Sequence, residues 1–308
     1  MDKITRRSLS LLHDLGAGGA DYLARAVQPN GRFTYLLNSQ TGRREAGYNL
    51  LRHAGALWAL GLWRSALPAN FATPAIDAAA EYLRRKVSTE WGAPPHLVSR
   101  EKVKLGGSAL MLLALMARDP DLNTDRDLCL GLADYLVSQQ SPNGRFQSAR
   151  ARDGAVSPFG SAYYSGQAML ALTRLYSLTS RQEHLEAALR GAYHLRVVDP
   201  LPLQAIDAAD HWTVLAFEAL HEHAQDRWLA DRVLASGDRI CSTLLEVDAA
   251  GFSGQRQGLR LRRCGYTWGG ARRCGPDRPP SGRRSPGRLV TCSACDDRRL
   301  LRDTPRRR

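Results

Sequence analysis

Apolar residues recur along this chain with the 3.6-residue period of α-helices, and they do so in two alternating kinds of segment. YNLLRHAGALWALGLW (48–63), LGGSALMLLALMA (105–117), YYSGQAMLALTRLY (163–176) and DHWTVLAFEALHE (210–222) are apolar on nearly every face. A helix of that kind has no side to give to water and must be buried all round. Between them lie segments with one polar face, at 8–27, 73–87, 124–140, 180–196 and 226–246, as in SRQEHLEAALRGAYHL. These suit an outer layer. The order is outer helix, loop, inner helix, short turn, with one helical hairpin per period of about 50–60 residues, the mark of a ring or solenoid. No alternating run is long enough for an extended sheet, although the loops can hold short hairpins.

One repeat is explicit. ADYLARAVQPNGRF at 20–33 returns as ADYLVSQQSPNGRF at 133–146, nine of fourteen positions matching at an offset of 113. Asn-Gly tolerates positive φ and is a strong turn signal, so PNGRF reads as the turn between an outer helix and the loop leading inward, anchored by Phe33 and Phe146. STEWGAPP (88–95), with Trp91 and Gly92, holds a related place, and DAAGF (248–252) looks like a decayed third copy.

Charge sharpens the domain picture. Of the formal +13, residues 251–308 carry +12, with 16 Arg, no Lys and four acidic residues, while residues 1–250 carry +1. A folded nucleic-acid binder carries its charge on the domain itself, so nucleic acid is not the expected partner of the body. The expected organisation is a helical domain over 1–252 and a basic Arg/Gly/Pro-rich tail over 253–308, disordered or frameshifted. The body has only four Lys, consistent with GC-rich coding DNA, whose out-of-frame translation yields such a tail. Cys264, Cys274, Cys292 and Cys295 in the tail include one CxxC pair, which is half of a zinc site, and no metal or cofactor is expected. Cys129 and Cys241 are too isolated for a disulfide framework, which favours a reducing, cytoplasmic compartment. The N-terminal TRRSLSLLHDLGAGG has a twin-arginine flavour, but His13 and Asp14 break its apolar run, and no span long enough for a membrane occurs.

ADYLVSQQSPNGRF resembles the QW repeat of terpenoid cyclases and protein prenyltransferases. The wider pattern is similar to the all-α (α/α) toroid of those enzymes and of six-hairpin glycosidases, polysaccharide lyases and uronate epimerases. The resemblance covers residues 8–252, about four to five hairpins, and so implies an incomplete ring with short β-turn loops. The Asp-x-Asp-Asp run of protonating cyclases and the Asp, Cys and His zinc ligands of prenyltransferases are absent. The resemblance therefore implies a carbohydrate-active enzyme of hydrolase, lyase or epimerase type, with a small-molecule or oligosaccharide substrate. Isoprenoid processing is the first alternative and a non-catalytic helical-repeat binding module the second.

In such a ring the long loops and the N-termini of the inner helices gather at one mouth. Asp210 is the foremost expected catalytic residue, with Glu45 and Asp153 (and Glu90) as partner carboxylates, because glycoside hydrolysis needs two flanking the bond. Substrate contacts are expected from Tyr48, Arg52, His53, Trp91, Lys104, Tyr163, Gln167, His211 and Trp212. Arg52 and His53 stand out because a charged or polar group in a buried helix needs a partner or a task. Asp210 also fits the simpler role of helix N-cap. GAGG (16–19) lacks the strand and lysine of a phosphate loop, and HEH (221–223) spaces its histidines poorly for a shared metal.

Overall fold

The computed structural model describes residues 3–64, 66–68, 71–100, 102–198 and 210–243. Nine α-helices alternate in two layers among them. The outer helices are α1 (Lys3–Ala26), α3 (Thr73–Arg84), α5 (Arg126–Ser138), α7 (Gln182–Tyr193) and α9 (Arg227–Thr243); the inner ones are α2 (Leu50–Arg64), α4 (Leu105–Arg118), α6 (Ala162–Thr179) and α8 (His211–Ala224). Each inner helix lies against the next, α2 on α4, α4 on α6 and α6 on α8. The architecture is that of an (α/α) toroid, with four hairpins and a fifth outer helix described. The chain divides into two compact units, Met1–Val233 and Leu234–Arg308. The DAAGF copy, the Arg-rich tail and its four cysteines lie outside the described residues.

Composition explains the layers. In α4, twelve consecutive residues from Leu105 to Met116 are buried, so no face is left for charge. Inner helices approach closely where one of them lacks a side chain. A Cβ on Gly61 would stand 2.7 Å from the Ala117 methyl, and one on Gly166 would stand 2.5 Å from the Thr213 nitrogen. Gly106 likewise sits under Gln167 and Tyr164. Ser161 caps α6 by accepting from the Tyr163 amide, and Asp210 caps α8 by accepting from the Thr213 amide at 3.3 Å.

The two PNGRF turns share their bonding. Gly31 N–H donates to Gln28 C=O and Gly144 N–H to Ser141 C=O, and Asn30 and Asn143 accept from the amides of Arg32 and Arg145. Val27 bridges to Phe33 and Gln140 to Phe146. Both glycines have positive φ (83° and 87°), and each presses on the outer helix of the next hairpin. A Cβ on Gly31 would collide with the Ala78 carbonyl of α3, and one on Gly144 with the Arg190 carbonyl of α7. Arg85 donates to the Asn30 carbonyl and His194 bonds the Asn143 carbonyl in matching places. The motif joins adjacent hairpins.

The loops also make a small antiparallel sheet in the order β1 (Val87–Ser88), β2 (His96–Ser99), β3 (Lys102–Lys104), β4 (Ala149–Ala151). Pairing of Val103 with Arg150 ties the second loop to the third. Strands of two to four residues are too short to show an alternating pattern, which is why only local hairpins were legible in the sequence. Among the described residues no helix is long and apolar enough to cross a membrane.

Candidate active site

The loops 27–49, 85–104 and 139–161 and the first turns of the inner helices form the mouth. The first unit brings Tyr48, Asn49, Arg52 and His53 there, but ties them differently. His53 is 2% exposed, and its Nε2–H donates to the Ala79 carbonyl of α3 at 2.9 Å. Its Nδ1 is therefore the acceptor for the Tyr48 hydroxyl at 2.6 Å, and that hydroxyl accepts from the Phe33 amide at 2.9 Å. Burial pushes the His53 pKa down to about 4 and the Tyr48 phenol up to about 12. Phe33 and Tyr82 pack on the His53 ring, and the Arg32 guanidinium lies 4.3 Å from the Tyr48 ring centroid. Both ring nitrogens of His53 are engaged in this clamp between the first turn, α2 and α3. Arg52 instead is exposed and donates to the Tyr35 hydroxyl at 3.0 Å.

In the second unit, Trp91 donates its indole N–H to the Arg152 carbonyl at 2.7 Å. The His96 ring lies 4.4 Å away from it, and Gly154 abuts its ring, so Trp91 locks two loops together. His96 is buried between Trp91 and Tyr135 and hydrogen-bonds the Pro94 carbonyl through Nδ1; burial lowers its pKa. Lys104 precedes α4, with its ammonium 5.7 Å from the Phe159 ring centroid. Glu90 pairs with Arg152 at 3.3 Å.

The third unit places Asp153 in an exposed turn, where its carboxylate accepts from the Ala155 amide. Glu45 is also exposed, accepting from the Asn38 amide side chain at 3.2 Å. Tyr163 is half-buried at the start of α6. Gln167 is buried against Gly106 in the seam between α4 and α6, its Oε1 without a hydrogen-bond partner among the described residues.

The fourth unit carries the arrangement with the clearest relation to the lumen. Asp210, His211 and Trp212 are consecutive at the start of α8: Asp210 is buried, His211 exposed and Trp212 half-buried. The rings of His211 and Trp212 are 4.7 Å apart. Trp212 meets Trp58 of α2 at 5.3 Å. Because α2 touches α4, α4 touches α6 and α6 touches α8, a contact from α2 to α8 crosses the ring interior. The two half-buried indoles thus join the middle of α2 to the first turn of α8. Trp58 was missed in the sequence because it lies in an unbroken apolar run, where lumen-facing and core-facing positions look alike.

A cleft of about 700 Å³ opens at the opposite end of the inner helices. Arg64, Asp77 and Arg118 of its lining are tied into the protein. Arg118 pairs with Asp77 at 2.8 Å and Asp125 at 3.0 Å, Arg84 grips Asp125 through two bonds of 2.9 and 2.7 Å, and Arg64 donates to the Arg118 carbonyl. That end is a structural ion network.

No protein-family model matches the chain, and no curated protein matches it in sequence. Solved structures do match in fold. Cellobiose 2-epimerase from Spirochaeta thermophila aligns over 78% of this chain and 72% of its own, with a TM-score of 0.60 and 16% identity. A D-mannose isomerase aligns over 74% and 68%, with 0.59 and 13%. An alpha-mannanase from Bacteroides thetaiotaomicron aligns over 74% and 73%, with 0.51 and 12%. At these identities the likeness establishes the (α/α) toroid fold.

Proposed function

We propose that this protein is a carbohydrate-active enzyme that works at the mouth of the ring, with the start of α8 as its reactive edge. The observation that carries the reading is the Trp58–Trp212 contact between α2 and α8, with His211 against Trp212 and Asp210 next in the chain; we read it as an aromatic floor for a sugar. An indole presents a broad apolar face of the kind on which the C–H face of a sugar ring packs, while polar groups at the rim take its hydroxyls.

Among the sugar reactions, proton transfer beside a carbonyl suits these residues better than hydrolysis. Imidazole is the commonest side chain for giving and taking protons in enzymes, and His211 is exposed beside the indole that would hold the ring. In this reading His211 takes the proton from the carbon next to an open-chain sugar's carbonyl, and Asp210 is the second acid–base group. Trp58 and Trp212 position the ring, and Arg52, Tyr163 and Lys104 contact its outer hydroxyls. Glu45 and Asp153 stand in exposed loop turns, and neither makes a described contact with Trp58 or Trp212, so a hydrolytic pair is the weaker assignment. Two of the fold neighbours named above are an epimerase and an isomerase of sugars, in keeping with this choice. The test is to incubate the protein with D-mannose, cellobiose and mannan oligosaccharides and follow the anomeric protons by NMR. New epimer or ketose signals support the reading; new reducing ends alone would replace proton transfer by hydrolysis, and no change with any sugar would sink it.

A further inference from the structure

The described inner helices contain five glycines, and three have a steric reason. Gly61, Gly106 and Gly166 lie where a Cβ would overlap the neighbouring helix, while a Cβ on Gly107 would make ordinary contact with Leu97 at 3.4 Å. Gly55 differs. It sits in the middle of α2 without the positive φ that calls for glycine, and a Cβ there would meet no described atom within 4 Å. Glycine is among the poorest residues for a helix interior, so here it weakens α2 without a compensating contact.

Its position indicates what the space serves. Gly55 is three residues before Trp58, on the same side of α2 and one turn nearer the mouth, since residues three and four apart share a helix face. Leu51, four residues earlier still, continues that stripe. The open space in front of Gly55 therefore lies on the side of α2 that carries Trp58, one turn nearer the mouth. We propose that Gly55 is a specificity-determining residue: its missing side chain keeps open the space through which a sugar ring settles onto Trp58 and Trp212. This rests on the functional reading above and deepens it, by assigning the depth of the site to one position on α2.

Gly55→Ala and Gly55→Leu test it, with Gly18→Ala as the control. Gly18 is an exposed glycine of α1 whose Cβ direction is also empty, far along the chain from the aromatic floor. Thermal melts and titrations with D-mannose and with cellobiose, read by tryptophan fluorescence and calorimetry, are compared. Gly55→Ala and Gly18→Ala are each expected to raise Tm by roughly 2–4 °C. Gly55→Leu is expected to weaken sugar binding at least tenfold, whereas Gly18→Ala leaves it unchanged. A fall in Tm for Gly55→Ala would mean that the chain itself uses the space, which overturns the proposal. Undiminished binding by Gly55→Leu overturns the proposal while leaving the sugar reading intact. Absence of binding by the unsubstituted protein removes the reading and the proposal together.

Discussion

Replacing His53 by Gln should flatten the acid limb of the stability curve, and the structure sets the size of the effect. His53 is held neutral between the Tyr48 hydroxyl and the Ala79 carbonyl, and burial, aided by the nearby Arg32, depresses its pKa from 6.5 to about 4. The sign follows from linkage. Above pH 6.5 the ring is neutral in both the folded and the unfolded chain, and its full contribution is present. As pH falls toward 4 the unfolded chain takes up a proton that the folded chain resists, so stability is lost through that window. A shift of this size, at about 1.4 kcal/mol per pH unit, amounts to a loss of about 3 kcal/mol between pH 7 and pH 4. His96 and His184, also buried with lowered pKa values, add losses of the same sign in both proteins and cancel in the comparison. A glutamine at this position keeps an N–H for the Ala79 carbonyl but cannot titrate. Urea unfolding at pH 7.5, 6.0, 5.0 and 4.5 should show His53→Gln less stable at pH 7.5 and its pH profile shallower. Parallel profiles for the two proteins would refute the clamp.

Asp125→Ala removes the buried carboxylate that Arg84 and Arg118 share, leaving them Glu81 and Asp77, and should cost about 1.5–3 kcal/mol by urea unfolding. Glu218→Ala, which breaks one exposed pair with Arg174 at 3.5 Å, should cost less than about 1 kcal/mol; equal losses would contradict the burial argument. Gly144→Ala combines a positive φ with a collision against the Arg190 carbonyl, and should lower Tm well beyond what a strained φ alone brings, about 1–3 kcal/mol. Gly31→Ala should behave alike, since it meets the Ala78 carbonyl in the same way; a neutral result in either melt would mean that the turns do not bear on the neighbouring hairpin.

Much of the fold was legible because burial on all sides erases polar residues, as in the twelve-residue buried run of α4. The PNGRF repeat was legible as a turn but not as a joint. Its contact with the outer helix of the next hairpin links Gly31 to Ala78 and Gly144 to Arg190, separations over which local sequence carries no signal. For the mouth, the sequence offered only position before an inner helix. Orientation could not be read, since it depends on packing between distant hairpins. Thus His53 and Trp91, both expected to meet substrate, have their polar atoms engaged within the protein, and Gln167 lies in an interhelical seam. Trp58 meets Trp212 from the far side of four inner helices in sequence, a pairing that only their arc creates.

In the proposed reaction the edge of α8 moves protons on a sugar held over the Trp58 and Trp212 indoles. Its most direct test is deuterium uptake at C2 of D-mannose and of the reducing glucose of cellobiose, followed by NMR in deuterated water. Uptake is expected with the unsubstituted protein, with a loss of at least about a hundredfold in His211→Gln, within the range that a general acid–base group contributes. Uptake unaffected by His211→Gln, or no uptake at all from either sugar, would contradict it.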